Sequence, residues 1–489
     1  MAGIWKRMLA MALGAVLLLV GLSGCGKTAS QGGTQQGAKG DPTAITVWHY
    51  YNGAQLKVFD ELVQEFNDTV GGEKGIVVTA RSYGSVNDLS DKVMEAIGEK
   101  VGAEEVPDIF SAYADTVYAV NSLGKVADLA QYLTQEEQDS YISGYLEEGR
   151  FESDGSFKLF PIAKSTEVFT INKTVWDDFA EKTGADEAAF ATWEGIVALA
   201  EQYYSYTDAE TPDVPDDGKA FFGRDAFANY MIVGSKQLGI EIFEVTDGKV
   251  TLNIDETAMR RLWDNYYVPY VNGYFSAFGK FRSDDIRTGD LCACVGATSG
   301  ATFFPTEVTR DDGSTYPIEV AVYPLPNFAD TKPVAVQQGA GMAVTKSTTE
   351  RERAAVEFLK WFTLPEQNGR FAMSSGYLPV TYVANEGTMM ADAQSASDMS
   401  SVLQDTLAVG MSMSGSYELY TTKAFEKGTD ARKVVESSMK DRASADREAV
   451  LALIAGGTSR ADAVAQYDTD ENFQAWLSEF SAALRAAVG

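Results

Sequence analysis

Between residues 44 and 83 the spacing of apolar side chains changes period twice, and this change limits the fold more than any other feature of the chain. AITVWHY (44–50) alternates and is rich in β-branched residues, which predicts a strand. Leu56, Phe59, Leu62, Val63 and Phe66 then recur at helical spacing, and beyond Gly71 and Gly72 the stretch GIVVTARSY (75–83) reads as a second strand. Two strands joined by a helix form a β-α-β unit, and such units build parallel sheets covered by helices on both faces. The alternation continues through VPDIFSAY (106–113) and LFPIAKSTEVFTIN (159–172). It resumes with a helix capped by Thr192 and carrying Trp193, Ile196, Val197, Ala200 and Tyr204, then the strands PIEVAVYPLP (317–326) and GAGMAVTK (339–346). Thr349 to Glu352 has the capping-box pattern, opening a helix with Ala355, Leu359 and Phe362 on its inner face. The fold class is α/β with two sheets. The body from residue 42 onward exceeds the ~100–200 residues usual for one domain, which predicts at least two lobes.

The N-terminus has a separate logic. Lys6 and Arg7 precede an apolar run from Met8 to Val20, followed by Gly21, Ser23 and Gly24, the layout of a secretory signal. The run is shorter than the roughly 20 residues a spanning helix needs, so residues 1–24 are expected to be a removable signal. Leu22-Ser23-Gly24-Cys25 resembles the lipobox of bacterial lipoproteins, which implies that Cys25 carries lipid. Residues 26–41 are rich in Gly, Gln, Thr and Ser with almost no apolar bulk, and predict a flexible tether reaching on the order of 20–25 Å.

Charge and motif content exclude several classes of function. The chain has 40 Lys and Arg against 70 Asp and Glu, a net charge of −30, which repels phosphate backbones and argues against nucleic acid as a partner. Cys292 and Cys294 lie two apart in LCACVGA, but no second cysteine pair follows and His49 is the one histidine, so buried apolar roles are expected and no metal. Asp468, Asp470, Asn472 and Glu479 have EF-hand spacing, yet Phe473 stands where that loop needs Gly, and the capped start of a final helix explains them better. GATSG (296–300) is not a nucleophile elbow, and no P-loop or H-E-x-x-H sequence occurs. Neither enzymatic activity nor a cofactor is expected.

Several stretches in order, namely ITVWHYYNG, VPDIF, LGKVADLAQYL, LFPIAKSTEVFTINKTVW, ATWEGIVALA, LPNF followed by KPVAVQQGAGMAVTKS, and AAVEFLKWFTLPEQNGRFAMSSGYLPV, resemble the family 1 extracellular solute-binding proteins of ABC importers. That group includes maltose- and glycerol-phosphate-binding proteins. The resemblance implies a type II periplasmic-binding-protein-like fold of two α/β lobes joined by crossing strands, with ligand in the cleft. Lobe one would comprise residues 42–163 and 337–410, lobe two 164–336 and 411–489. Crossings are expected at 160–165, at 333–342 and near 410–416. Residues 385–475 match the family less clearly and are longer than it requires.

The segments that leave strands at the cleft edge are the expected ligand contacts. In lobe one they are His49, Tyr50, Tyr51, Asn52, Ser82, Tyr83, Tyr113 and Asp115. Lobe two would supply Lys164, Ser165, Thr166, Glu167, Phe222, Arg224, Ser299, Tyr417 and Tyr420, and the second crossing Gln337 and Gln338. Flat aromatics with amides, hydroxyls and carboxylates suit the C–H faces and hydroxyl rim of a sugar. The expectation is a monomeric, lipid-anchored receptor outside the cytoplasmic membrane that passes a sugar or oligosaccharide to ABC permease subunits. Arg81, Lys164 and Arg224 keep a small anion such as glycerol phosphate as the alternative, and an extracellular glycan-acting enzyme is the alternative of another class.

Overall fold

The computed structural model describes residues 41–310, 312–386 and 399–489. The signal segment, Cys25 and most of the tether lie outside the described residues, as do residues 387–398. The body from residue 41 forms one compact unit built on two four-stranded sheets.

In the first sheet, strand Thr43–His49 runs parallel to Ile76–Ser82 on one side and Ile109–Ala112 on the other, while Gly341–Val344 pairs antiparallel with Ile109–Ala112 at the edge. The alternation in Thr43–His49 divides its side chains between two cores. Ile45 and Val47 face helices Gly53–Phe66, Thr349–Phe362 and Pro365–Met373 through Phe59, Phe66, Phe358, Phe362 and Phe371. Trp48 faces helices Val86–Ile97 and Ala114–Ser122 through Leu89, Val93, Val117 and Val120. The helix Thr349–Phe362 is capped one residue earlier than its sequence suggests: the Thr348 side chain accepts from Arg351 N–H, and Glu352 reaches back to Ser347 N–H.

The second sheet has the order Val320–Tyr323, Glu167–Asn172, Ala293–Ala297, Phe222–Arg224. Glu167–Asn172 is antiparallel to both neighbours. Both sheets are thus mixed where the β-α-β reading predicts parallel ones. Gly341–Val344 and Glu167–Asn172 each enter directly from a crossing segment, with no helical return to set a parallel direction. Only residues 167–172 of the expected strand 159–172 pair in the second sheet. The preceding residues form single bridges instead, Phe160 to Met342, Lys164 to Leu378 and Ser165 to Gln338, and so lie at the junction of the lobes. The expected third crossing falls in the last turns of helix Ser401–Ser416, whose Ser414 hydroxyl meets Tyr145 of lobe one while Met413 joins the lobe-two core.

Lobe two owes its bulk to aromatics. Trp176, Phe190, Phe169, Phe222 and Trp193 pack ring against ring in tilted, stacked and edge-on pairs, and Trp263 stacks on Tyr267 at 3.6 Å between ring centroids. The final helix Asp470–Val488 closes this core with Phe473, Trp476, Phe480 and Leu484. Its start is capped by Thr469, and Asp470 and Asn472 serve Arg260 and Arg442. The 28-residue helix Gly428–Ala455 runs beneath it, so much of the segment beyond residue 385 is lobe-two structure. Cys292 and Cys294 are free thiols, both buried, the first in the large lobe-two core and the second in a smaller cluster with Leu291 and Ile286, and no cluster of metal-ligating side chains is found among the described residues. Among the same residues no helix is long and apolar enough to cross a membrane.

Candidate functional site

Two cavities flank the crossing segments. The first, about 580 Å³, lies between the lobes. Lobe one lines it with Asn87, Ser90 and Asp91 of helix Val86–Ile97, with Tyr113 and Asp115, and with Glu148; lobe two faces them with Asn229, Phe243, Lys423, Phe425, Gly428, Thr429 and Arg432. Gln337, Gln338 and Gly339 of the crossing form its floor. Gly339 has φ +103°, where a side chain is strained, and a Cβ there would sit 3.1 Å from the Ala163 carbonyl.

Asp115 holds the centre of this arrangement. It opens helix Ala114–Ser122 and points at the N-terminus of Gly428–Ala455 across the cleft, where Thr429 Oγ1 donates to it at 3.4 Å. A helix N-terminus favours a carboxylate. Approach this close depends on glycine, since a Cβ on Gly428 would lie 2.8 Å from Asp115 Oδ1. Burial raises the Asp115 pKa, with Thr429 and Arg432 opposing the shift and Glu148 adding to it. Burial also raises that of Tyr113.

A buried ion network sets the lobe-two wall. Arg224 Nη2 donates to Glu167 at 2.9 Å, with both side chains at most 2% exposed. Asn229 Nδ2 donates to the other Glu167 oxygen at 2.7 Å and to Gln338 Oε1 at 3.2 Å, which leaves its Oδ1 to accept from Arg432 Nη2 at 2.5 Å. The carboxylate therefore fixes the amide orientation, and the amide fixes the guanidinium. Among the described residues Arg432 makes no ion pair.

The second cavity, about 540 Å³, lies on the opposite face of the lobe-two sheet. Val168, Thr170, Cys294 and Gly296 alternate with the core-facing Phe169, Ile171 and Val295 and line it, beneath Val402 and Thr406 of helix Ser401–Ser416. Phe281 and Phe303 stand at its rim, 51% and 69% exposed, beside Ser299, Asp225, Asp284 and Arg287. Gln338 borders both cavities.

Of the residues expected at the cleft, Tyr113, Asp115, Gln337 and Gln338 line the interlobe cavity, while Glu167, Ser299 and Gln338 line the second. Lys164, Ser165 and Thr166 are buried in the crossing itself. Arg224 lies behind Glu167, over the rings of Trp193 and Tyr230. The others border neither cavity. Tyr50 packs beside Tyr51, with burial raising its pKa and Tyr377 adding to the shift. Asn52 donates to the Gly84 carbonyl, Ser82 to that of Tyr51, and Tyr83 packs on Trp48 under Arg81. Phe222 is a core residue, Tyr417 donates to the Leu325 carbonyl, and Tyr420 lies under Lys236 in a hinge strand.

His49 departs furthest from expectation. It is still within the first strand, fully buried, stacked on Tyr51 and tilted against Phe59. Nδ1 accepts from Tyr51 N–H at 3.2 Å, so the proton sits on Nε2, which has no partner. Burial lowers its pKa from 6.5 to about 4. The folded imidazole stays neutral where the unfolded one protonates, so its contribution is complete above pH 6.5 and is lost as pH falls toward 4, by on the order of 3 kcal/mol. Urea midpoints should therefore fall more steeply across this window in the wild type than in His49→Gln; parallel curves would refute the assignment.

Sequence reasoning missed Glu148, Asn229, Arg432 and the two exposed phenylalanines. Asn229 and Arg432 sit on helices far apart in the chain, and no motif joins them.

Residues 61–399 match the family model described as bacterial extracellular solute-binding protein. No curated protein matches the chain. Among solved structures, the chain is similar to the cyclic alpha-maltosyl-1,6-maltose binding protein of Arthrobacter globiformis, at 17% identity and TM-score 0.65, covering 91% of this chain and 99% of that one. It is also similar to UgpB of Mycobacterium tuberculosis in complex with glycerophosphocholine, at 17% identity, TM-score 0.61, 92% and 100% coverage. The maltotriose binding protein of Thermus thermophilus follows the same fold at 14% identity, TM-score 0.54, 91% and 100% coverage. With two sheets, crossing segments and an interlobe cavity, the chain belongs to the bacterial extracellular solute-binding proteins.

Proposed function

We propose that this protein is the receptor of an ABC importer, binding a sugar or oligosaccharide between its lobes and delivering it to membrane permease subunits. In this reading it acts as a monomer outside the cytoplasmic membrane, anchored through lipid on Cys25, and breaks no bond in its guest. The observation that carries the reading is the interlobe cavity, where carboxylate, amide, guanidinium and phenol groups converge from both lobes and from the crossing. Such a site pairs many hydroxyls at once, and each one left unpaired costs about 1–3 kcal/mol, which gives selectivity. Contacts from both lobes exist only when they are together, so a guest shifts the population toward closure. Of the similar structures described above, two are named for binding a maltose-derived sugar.

The small-anion alternative draws no support from the cations first considered for it. Arg81 pairs with Glu104, Lys164 with Glu148 and Arg224 with Glu167. Arg432 and Lys423 are the cations in the cavity whose charge an anionic guest would meet.

A thermal-shift panel of mono- and oligosaccharides, polyols and phosphate esters tests the reading. A cognate guest at 100 times its Kd adds about 2.7 kcal/mol of stability. Shifts with phosphate esters alone would replace sugar by anion, and loss of the sugar on overnight incubation would replace receptor by enzyme.

A further inference from the structure

One carboxylate oxygen ties lobe one to both crossing segments. Glu148 follows the short helix Ser143–Glu147, and its side chain is 8% exposed. Its Oε2 accepts from Nζ of the fully buried Lys164 on the first crossing and from Nε2 of Gln337 on the second, the latter at 3.1 Å. Lys164 Nζ also donates to the Gly339 carbonyl at 2.8 Å. The backbones of Ser165 and Gln338 exchange two hydrogen bonds alongside.

This clasp uses only one of the two Glu148 oxygens. A carboxylate can only accept here, so Gln337 must present its amide NH₂ to Glu148, and its Oε1 is thereby fixed on the other side, buried where a Cβ on Gly144 would stand 3.4 Å from it. Among the described residues no hydrogen bond reaches Glu148 Oε1. Glu148 lines the interlobe cavity, so this second oxygen is left to accept from a guest.

We infer that Glu148 Oε1 receives a hydroxyl of the guest, and that this contact steadies the hinge because the same carboxylate grips both crossing segments. The inference rests on the sugar reading and narrows it. The guest carries a free hydroxyl at the end that meets the crossing, and Glu148 is a ligand contact and a hinge-positioning residue together.

Glu148→Gln tests the polarity. Its amide oxygen must face Lys164 and Gln337 Nε2, so its NH₂ turns to the cavity and an acceptor becomes a donor. With a sugar that shifts the wild type, calorimetric affinity should fall about 10- to 100-fold. A matched deoxy sugar lacking that hydroxyl should bind the wild type correspondingly less well, and the variant should hardly distinguish the pair. Full discrimination retained by E148Q overturns the hydroxyl contact. The double variant E148Q/K164M removes both buried charges and serves as the folding control; its sugar affinity should remain low. Small-angle scattering of the ligand-free double variant should show a larger radius of gyration than the wild type, and an identical profile overturns the hinge role. If no sugar shifts the wild type, the sugar reading falls and scattering alone decides the clasp.

Discussion

Glu167→Ala should lower the unfolding free energy by about 3–5 kcal/mol, measured by urea denaturation at neutral pH. The loss comes from what the substitution leaves behind. Arg224 is 1% exposed and among the described residues has Glu167 as its one ion-pair partner, so truncation strands a buried cation beside the rings of Trp193 and Tyr230. Asn229 loses its strongest acceptor at the same time. Replacing both charged residues, as in Glu167→Leu with Arg224→Met, should recover most of the loss, because a buried pair contributes little beyond its own desolvation. A single variant within 1 kcal/mol of the wild type would show that the wall is wet enough to solvate Arg224. The double variant separates stability from recognition: a firm fold with weakened ligand binding is expected, since Asn229 no longer has a carboxylate to orient it toward Arg432.

The second large effect concerns binding. Asp115→Ala should reduce affinity for the cognate guest about 10- to 100-fold, the range for a hydrogen bond to a charged group. Its protein partner is a long contact from Thr429, so stability without guest should change by less than about 1 kcal/mol. Titration calorimetry beside urea denaturation distinguishes the two. Equal affinity in wild type and variant would place the guest elsewhere, with the phenylalanine-rimmed cavity behind the lobe-two sheet as the next place to look.

The first lobe was largely legible because its strands and helices carry their own periodicity. Thr43–His49, Ile76–Ser82 and Ile109–Ala112 fall within a few residues of the sequence reading. The burial of His49 was legible too. It stands two residues beyond Val47 and four beyond Ile45, so the pleat that sends those side chains under the helices sends the imidazole there as well. Reading the end of the strand one residue late and treating what followed as cleft edge hid this. Arg432 and Asn229 were not legible in the same sense. Their roles arise when helix Gly428–Ala455 is laid against helix Phe227–Gln237, a contact between segments about 200 residues apart. Nor does local spacing show that Lys164 and Glu148 neutralise each other, because that pairing exists only at the lobe junction. Family resemblance supplied the expectation of crossings; tertiary packing decided which side chains of those segments face open space.

The hairpin Phe243–Thr246 and Lys249–Leu252 turns at Asp247 and Gly248, both at positive φ, and its tip touches lobe one. Asp247 accepts from Ser153 N–H at 2.9 Å, and Gly248 lies against the Tyr118 hydroxyl, while Phe243 at its base borders the interlobe cavity. The rim of the cleft at this hairpin is therefore fastened by a hydrogen bond and a hydroxyl contact. Fastenings of that size let go quickly, so the residence time of the cargo depends on the cargo's own contacts. A carrier made this way holds what it recognises and reopens promptly once emptied.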